Sequence, residues 1–548
     1  MLEGGYVPAP THANTLGAAL ACYAATAIAI GFAWWWLGAP LRLPPSPLAS
    51  SGKLSCVSYA PFRGDQDPLI ETTHVDAGQI DEDLTLLSRY TDCIRTYSIE
   101  NGLDQIPAIA ERHGLKVMQG LWLSNKAEKN RHQVEIVVAL AKAFPNTITA
   151  IIVGNEVLLR GDLSVGDLEG FIRTVKAQVT MPVTYADVWE FWLRNRDLRA
   201  AVDFVTIHIL PYWEDFPLPA SVAAAHVDAI RKQVAAAIPD KEIFIGEVGW
   251  PSAGRMREAA LPSPSNQARV ISETMTLAQR ENFRVNVIEA FNQPWKRWLE
   301  GATGGYWGIF DRATGAPKFA FDGVVSDHPY WPLQALAGVL LAAAMFASAL
   351  AYASGKVSVP YLWPRIALAS FLAAVLFGWA LERIPIDSFS TGTWLRSIAF
   401  AACAVIAPVA CAAAIAAGRT VPAFAALLGG RHGTRDPVDV VLGVTLIALT
   451  LLSIETALVL VFDPRYRDLP FAPQSAGVVA LLALVLLTPR PTGRRPAAET
   501  LAAAVLAVSA VYIAINETVA NWQALWLCAG FIGLAFILST ARAAPDRE

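Results

Sequence analysis

Two hydrophobic rhythms divide this chain. Between residues 54 and 330, short apolar and β-branched runs alternate with stretches of helical periodicity. On either side the apolar runs are much longer and carry few charges. A bilayer core about 30 Å thick takes roughly 20 apolar residues per helix. Leu16–Leu37 satisfies this and ends in Trp34-Trp35-Trp36, a pattern suited to a membrane interface. Seven further runs follow: Pro332–Ala353, Ile366–Leu381, Trp394–Ala417, Val438–Phe462, Pro473–Thr488, Ala497–Ile515 and Trp522–Ser539. Two of these are short for a span, so the count is open by one. The pattern predicts a transmembrane anchor over 16–37, a linker over 38–53 and a membrane domain of about seven helices over 331–540. Short cytoplasmic ends over 1–15 and 541–548 complete the division. The leader has no Lys or Arg, and Pro40 follows the small pair Gly38-Ala39. Both features favour an uncleaved anchor over a cleaved signal.

The middle block has another character. Its strand candidates are Leu54–Tyr59, Cys93–Tyr97, Lys116–Leu123, Thr147–Val153, Met181–Tyr185, Phe204–Ile209, Glu242–Gly246 and Arg284–Phe291. Helical patterns such as Val134–Phe144 and Ser221–Ile238 lie between them. Eight strand–helix repeats in this length predict an α/β fold, a (β/α)8 TIM barrel, joined to an all-α transmembrane bundle.

Charge sharpens the division. The 54–330 block holds 62 of the 90 Asp, Glu, Lys and Arg side chains, 35 acidic and 27 basic. A net charge of −4 excludes the basic face that a nucleic-acid binder needs. Eight helices put both termini on one side. The tail connections on that side hold Lys356, Arg365, Arg419, Arg431, Arg435, Arg490, Arg494, Arg495, Arg542 and Arg547. The opposite set holds Arg383, Arg396, Arg465 and Arg467. The positive-inside rule then places the termini in the cytoplasm and the middle block outside. Cys22, Cys403, Cys411 and Cys528 fall in apolar helices as small apolar side chains. Cys56 and Cys93 could pair in an oxidising compartment, although two cysteines make no framework. No Cys/His spacing resembles a zinc site, and neither a metal nor a cofactor is expected.

In such a barrel chemistry sits on the loops after the strands. Strand four ends in Gly154-Asn155-Glu156, and strand seven in Gly246-Glu247-Val248-Gly249-Trp250-Pro251. Two carboxylates facing each other across the mouth are what glycosidic chemistry uses, one as a proton donor and one as a nucleophile. The other strand ends carry Tyr59, Arg95, Tyr97, Trp122, Trp189, Tyr212, Trp213, Glu289, Trp295 and Lys296. Aromatic rings stack on the apolar C–H faces of sugars, while polar groups reach the hydroxyls.

These segments resemble glycoside hydrolase family 17, the β-1,3-glucanases, over about residues 54–322. Gly154-Asn155-Glu156 is similar to the family's acid/base motif. Gly246–Pro251 is similar to its nucleophile motif, with Val248 where Thr is usual. Ile94-Arg95-Thr96-Tyr97 and Glu289-Ala290-Phe291-Asn292-Gln293-Pro294-Trp295-Lys296 resemble the transglycosylating branch, except that Asn292 and Gln293 replace an Asp and a Glu. A barrel of this kind followed by membrane helices is similar to rhizobial-type β-(1,6)-glucan synthase proteins. The resemblance implies Glu156 as general acid/base and Glu247 as nucleophile, with Asn155 bonding the sugar 2-hydroxyl. Tyr59, Arg95, Tyr97, Tyr212, Trp250, Glu289 and Lys296 become substrate-contact candidates, with packing as the alternative role. Trp122, Trp189 and Trp213 become candidate sugar platforms, and Trp295 joins them as a substrate-binding candidate. The implied partners are a β-glucan, membrane lipid and a glucan synthase in the same membrane. The implied location is a bacterial inner membrane, with the barrel on the periplasmic side.

Other signals are weaker. Gln293–Trp298 is one residue too long for the Gln-x-x-Arg-Trp signature of processive glycosyltransferases. Asp81-Glu82-Asp83 is expected to open a helix, where acids favour the dipole. His208 is expected to be a hydrogen-bonded core or rim residue. Glu455, inside a predicted span, is a functional candidate by default, against a protonated or paired structural role. A non-catalytic glucan-binding barrel and a glucan export component stand as the alternative functions.

Overall fold

The computed structural model describes residues 12–312, 314–319, 323–353, 361–428, 436–489 and 493–542. Lys356, Arg431, Arg435, Arg490 and Arg547, which carry part of the orientation argument, lie outside the described residues. The chain divides into two compact units, one built from Pro40–Asp327 and the other from the chain on either side of it.

The first unit is a closed barrel of eight parallel strands. They are β1 (Val57–Ser58), β2 (Cys93–Arg95), β3 (Lys116–Leu121), β4 (Ile148–Asn155), β5 (Val183–Val188), β6 (Val205–His208), β7 (Ile243–Val248) and β8 (Val285–Val287). Each pairs with the next, and β8 closes on β1. The predicted barrel is therefore the observed one. Side-chain alternation along each strand separates two cores. Val57, Ile94, Val117, Leu121, Ile151, Val153 and Ile245 point outward into the layer shared with the helices. Met118, Ala150, Ile152, Ala186, Phe204 and Phe244 form a smaller buried cluster with Cys56. Toward the C-terminal strand ends the buried side chains become polar. Thr184 and Thr206 share a 2.9 Å hydroxyl contact. Asn286 donates to Ser58 Oγ at 2.8 Å and to the Gly246 carbonyl at 2.7 Å. This layer leads up to the site.

Several local details differ from the sequence reading. The 38–53 stretch has structure of its own: Leu41–Arg42 pairs antiparallel with Val324–Val325, and Pro47–Ser51 is helical. Asp81-Glu82-Asp83 lies inside helix Ala77–Leu87 rather than opening it, because Asp76 is the cap and accepts from the Gln79 N–H. Cys56 and Cys93 form a disulfide. Pairing of Val57 with Ile94 sets these two cysteines side by side at the starts of β1 and β2. The bridge spans 37 residues of sequence. Loop-closure entropy of that length is worth roughly 4 kcal/mol at most. Reduction, or Cys93→Ala, is expected to lower the barrel's unfolding midpoint without abolishing its fold; differential scanning calorimetry with and without reductant checks this.

The second unit is helical. Seven of its described helices are long and apolar enough to cross a membrane, by length and composition. They are Leu16–Leu37, Trp331–Tyr352, Leu362–Asp387, Thr391–Ala417, Pro437–Phe462, Ala497–Glu517 and Trp522–Thr540. Phe471–Leu487 is apolar but has 17 residues. The run starting at Ile366 is thus a full-length helix, and only one of the two short candidates remains short. Glu455 is half-exposed on its helix, and its carboxylate lies 3.9 Å from Arg396. Two buried charged groups here are paired: Arg383 bonds Asp387 at 2.8 Å, and Glu499 accepts from the Phe424 N–H at 2.7 Å.

Candidate active site

The strand ends that carry chemistry are also where the barrel register slips. The β4–β5 pairing shifts between Ile152 and Asn155, the β6–β7 pairing between Ile207 and His208, and the β7–β8 pairing between Ile245 and Val248. Such irregularities re-aim side chains at a barrel rim. After β4 the chain also takes two left-handed residues, Gly154 at φ +85° and Glu156 at φ +54°. A Cβ on Gly154 would meet Val157 Cγ2 at 2.7 Å, so the turn presenting Glu156 needs glycine there. Left-handed backbone at a glutamate is strain held by its surroundings. Tyr185 Oη accepts from the Leu158 N–H at 3.0 Å, and the Arg160 guanidinium donates to the Asn155 carbonyl.

Arg95, fully buried on β2, organises the centre. Its Nη1 donates to Glu247 Oε1 at 2.6 Å and to the Gly246 carbonyl at 3.1 Å. Its Nη2 donates to Asn155 Oδ1 and lies 3.3 Å from His208 Nε2. His208 Nδ1 in turn lies 2.8 Å from Glu156 Oε1. One ligand atom from each of Glu156, His208 and Glu247 lies within 4.8 Å of the others. Three such groups could in principle hold a cation. The Arg95 charge already bonded to Glu247 opposes one, and the donor set suits a carboxylate pair better than a metal.

The two glutamates differ in surroundings. Glu156 is partly open to the cleft, its side chain 24% exposed, and Glu247 is buried. Burial pushes the Glu247 carboxyl up. The facing His208 imidazole, the charges of Arg95 and Lys296 and the Arg95 hydrogen bond outweigh it and hold Glu247 below the usual glutamate range. Next to Glu156, burial raises Asp187 to about 6, although Tyr185 Oη and the Val188 N–H bond its carboxylate. The folded protein thus holds the Asp187 proton more tightly than the unfolded chain. Its stability contribution is present below the ordinary aspartate value and is lost as pH rises through about 6. Asp187→Asn is expected to flatten the fall in barrel stability between about pH 4 and 6, as read by urea unfolding at several pH values.

The remaining sequence candidates separate into those at the centre and those in packing. Arg95, Asn155 and Glu247 are joined directly. Tyr97 lies under the Arg95 guanidinium, 4.6 Å from ring centre to Cζ. Glu289, left-handed at φ +49°, accepts from Lys296 Nζ at 2.6 Å, and its second oxygen has no protein partner. Lys296 contributes to the field at Glu247. Trp122 is half-buried with the Arg160 guanidinium over its ring at 4.1 Å. Trp189 donates to Glu214 at 3.2 Å, and Trp295 to Gln293 Oε1 at 3.0 Å. Trp213 is half-buried and stacks on Trp307 at 6.2 Å. Tyr59, Tyr212 and Trp250 are fully buried. Tyr59 joins Arg63 and Arg312 around Asp83. Tyr212 donates to the Arg255 carbonyl at 2.8 Å, and Trp250 to the Leu261 carbonyl at 2.9 Å. These three brace the loops around the cleft. Asn292 and Gln293 do likewise: Asn292 Oδ1 accepts from Lys318 at 2.7 Å, and Gln293 Nε2 donates to the Ala60 and Phe291 carbonyls.

Asp187 and Arg160 are central residues that sequence reasoning passed over; His208, expected as a hydrogen-bonded core or rim residue, is buried and bonded to Glu156. The signal for His208 was present, since it ends β6 just as Asn155 ends β4.

Comparison with known proteins finds relatives of the barrel. Residues 56–308 match the BtgE/BtgC glycoside hydrolase domain. A glucan 1,3-beta-glucosidase of Candida albicans is 25% identical over 257 residues, covering 43% of this chain and 83% of the relative. The probable beta-glucosidase btgE of Aspergillus flavus is 27% identical over 276 residues, covering 48% of this chain and 44% of the relative. Among solved structures, a Rhizomucor miehei beta-1,3-glucanosyltransferase mutant in complex with laminaritriose aligns with 22% identity and a TM-score of 0.44, over 49% of this chain and 96% of that one. The barrel matches a glycoside hydrolase domain, and glucan 1,3-β-glucosidases are among the proteins it is similar to.

Proposed function

We propose that this protein is a membrane-anchored, retaining β-glucan transglycosylase that acts on β-1,3-glucan chains outside the cytoplasm, with hydrolysis as its secondary reaction. The observation that carries the reading is the pair Glu156 and Glu247, with one carboxylate oxygen of each within 4.8 Å of the other. Retaining glycosidases hold their carboxyl groups about 5–5.5 Å apart, and inverting ones about 6.5–9.5 Å. Glu247 attacks the anomeric carbon through the oxygen that Arg95 leaves unbonded. A C–O bond to Glu247 forms as the glycosidic C–O bond breaks. The leaving oxygen keeps the bonding pair and takes the Glu156 proton. Asn155 Oδ1 is occupied by Arg95, so its N–H groups are left to bond the 2-hydroxyl of the sugar. A second sugar hydroxyl then gives its proton to the Glu156 carboxylate and displaces Glu247 with the β configuration restored.

Transfer over hydrolysis, and formation of β-1,6 linkages or branches, rest on the family resemblance and on the aromatic rim. Trp189, Trp213, Trp295 and the exposed Trp298 are suited to hold an acceptor sugar and exclude water. A purely glucan-binding barrel has no use for a buried carboxylate kept ionised beside a second carboxylate, which favours the enzymatic reading. The reaction is tested by incubating detergent-solubilised full chain with laminari-oligosaccharides and resolving products by size, linkage and anomer. Products longer than the donor with the β configuration are expected; only shortened products, or an initial α-anomer, contradict the reading.

Anchoring by 16–37 and 331–540 in a bacterial inner membrane, with the barrel on the periplasmic side, belongs to the same proposal. The apolar helices, the basic bias of the tail connections and the Cys56–Cys93 disulfide support it. An impermeant thiol reagent applied to intact spheroplasts should label a cysteine placed at Pro264 and not one placed at Pro496. The reverse pattern overturns the orientation.

A further inference from the structure

We propose that His208 is a positioning residue that donates from Nδ1 to Glu156 Oε1, so that the proton delivered to the leaving group resides on Oε2. The inference rests on Glu156 being the acid/base. Its basis is the way Arg95 distributes its hydrogens. Nη1 donates to Glu247 Oε1 and the Gly246 carbonyl, and Nη2 to Asn155 Oδ1. The remaining Nη2 hydrogen faces His208 Nε2 at 3.3 Å. A guanidinium donates and never accepts, so in the neutral ring Nε2 presents its lone pair, and in the imidazolium both nitrogens carry hydrogen, so Nδ1 is a donor in either form. Glu247 Oε1, 3.6 Å from Nε2, is beyond hydrogen-bonding reach and offers Nε2 no acceptor. The imidazole proton therefore sits on Nδ1, 2.8 Å from Glu156 Oε1. His208 is 1% exposed, so water does not compete for either nitrogen.

The consequence is a division of labour between the two oxygens of Glu156. Oε1 accepts from His208 whether or not the carboxyl is protonated. Oε2, on the side left free, carries the proton that leaves in the first step and returns in the second. A single buried chain then runs from nucleophile to acid: Glu247, Arg95, His208, Glu156. The other charged groups facing this pair are Asp187, Glu300 and Lys296, and the variants below leave them in place.

Two substitutions separate this role from packing. The amide N–H of asparagine can take the place of Nδ1–H, whereas the amide of glutamine reaches toward the Nε2 position. The pH dependence of kcat/KM is measured for the full chain, wild type, His208→Asn and His208→Gln, on a laminari-oligosaccharide and on an activated aryl glucoside. The glutamine variant loses the donor to Glu156 Oε1. Its basic limb should move up by about one pH unit, with kcat on the oligosaccharide falling about tenfold and KM little changed. The aryl glucoside, which needs little protonation, should be hit less. The asparagine variant should keep the wild-type limb and most of the rate. Unmoved limbs with equal losses on both substrates overturn the inference and leave His208 as packing. If the glutamine variant does not fold, His208→Ala takes its place as the variant without the donor, with the same outcomes. A wild type with no action on β-1,3-glucan is a different outcome, since it refutes the proposed function itself.

Discussion

Glu247→Gln is expected to lower turnover of β-1,3-gluco-oligosaccharides by roughly 10⁴-fold or more, with substrate binding largely kept. The amide has no charge to attack the anomeric carbon. It also turns the charged acceptor that Arg95 Nη1 holds at 2.6 Å into a neutral one. Arg95 retains Asn155 and the Gly246 carbonyl, so the guanidinium is not stranded. A modest fall in unfolding midpoint is expected, and it is measured beside the kinetics so that lost chemistry is not confused with lost fold. A variant that turns over β-1,3-glucan at near-wild-type rate contradicts the nucleophile assignment, whatever its stability.

The second large effect is at Glu156, and it depends on the leaving group. Glu156→Gln should reduce cleavage of an unactivated glucan by about 10²–10⁴-fold, the usual contribution of a positioned proton donor. An aryl glucoside with an acidic phenol needs little protonation and should still form the glucosyl-enzyme. That intermediate should then accumulate, because no carboxylate remains to activate the acceptor. Added azide, which needs no base, should relieve the block and give a β-glucosyl azide. An equal loss on both substrates, unrelieved by azide, would remove Glu156 from the acid/base role.

The barrel was legible in the sequence because it is a local pattern repeated eight times. Every predicted strand overlaps an observed one, and Glu156 and Glu247 could be placed at strand ends by counting. The aromatic residues were harder. Trp189, Trp213, Tyr212 and Trp250 all follow strands and look alike as sugar platforms. Only long-range packing separates the half-buried Trp189 and Trp213 from Tyr212 and Trp250, which are buried against Trp307 and the loop carbonyls. His208 was legible as a hydrogen-bonded residue, but not its partners, since Arg95 and Glu156 lie 113 and 52 residues away. The disulfide depended on register. Both cysteines head predicted strands, but only the Val57–Ile94 pairing brings them together. Asn292 and Gln293, which stand where the similar motif has two acids, are loop braces, a role decided by Lys318, Ala60 and Phe291.

The central claim is that a covalent glucosyl group forms on Glu247 while Glu156 handles the proton. It is tested most directly by incubating the full chain with a 2-fluoro-glucosyl donor bearing a good leaving group. The fluorine slows both steps, and the leaving group restores the first, so the intermediate persists long enough to isolate. Mass spectrometry of the intact protein and of its peptides then locates the adduct. The account predicts one added fluoroglucosyl group, on the peptide containing Glu247, and none in Glu247→Gln. A stoichiometric adduct on Glu156, or enzyme that turns over β-1,3-glucan yet forms no adduct at all, would contradict it.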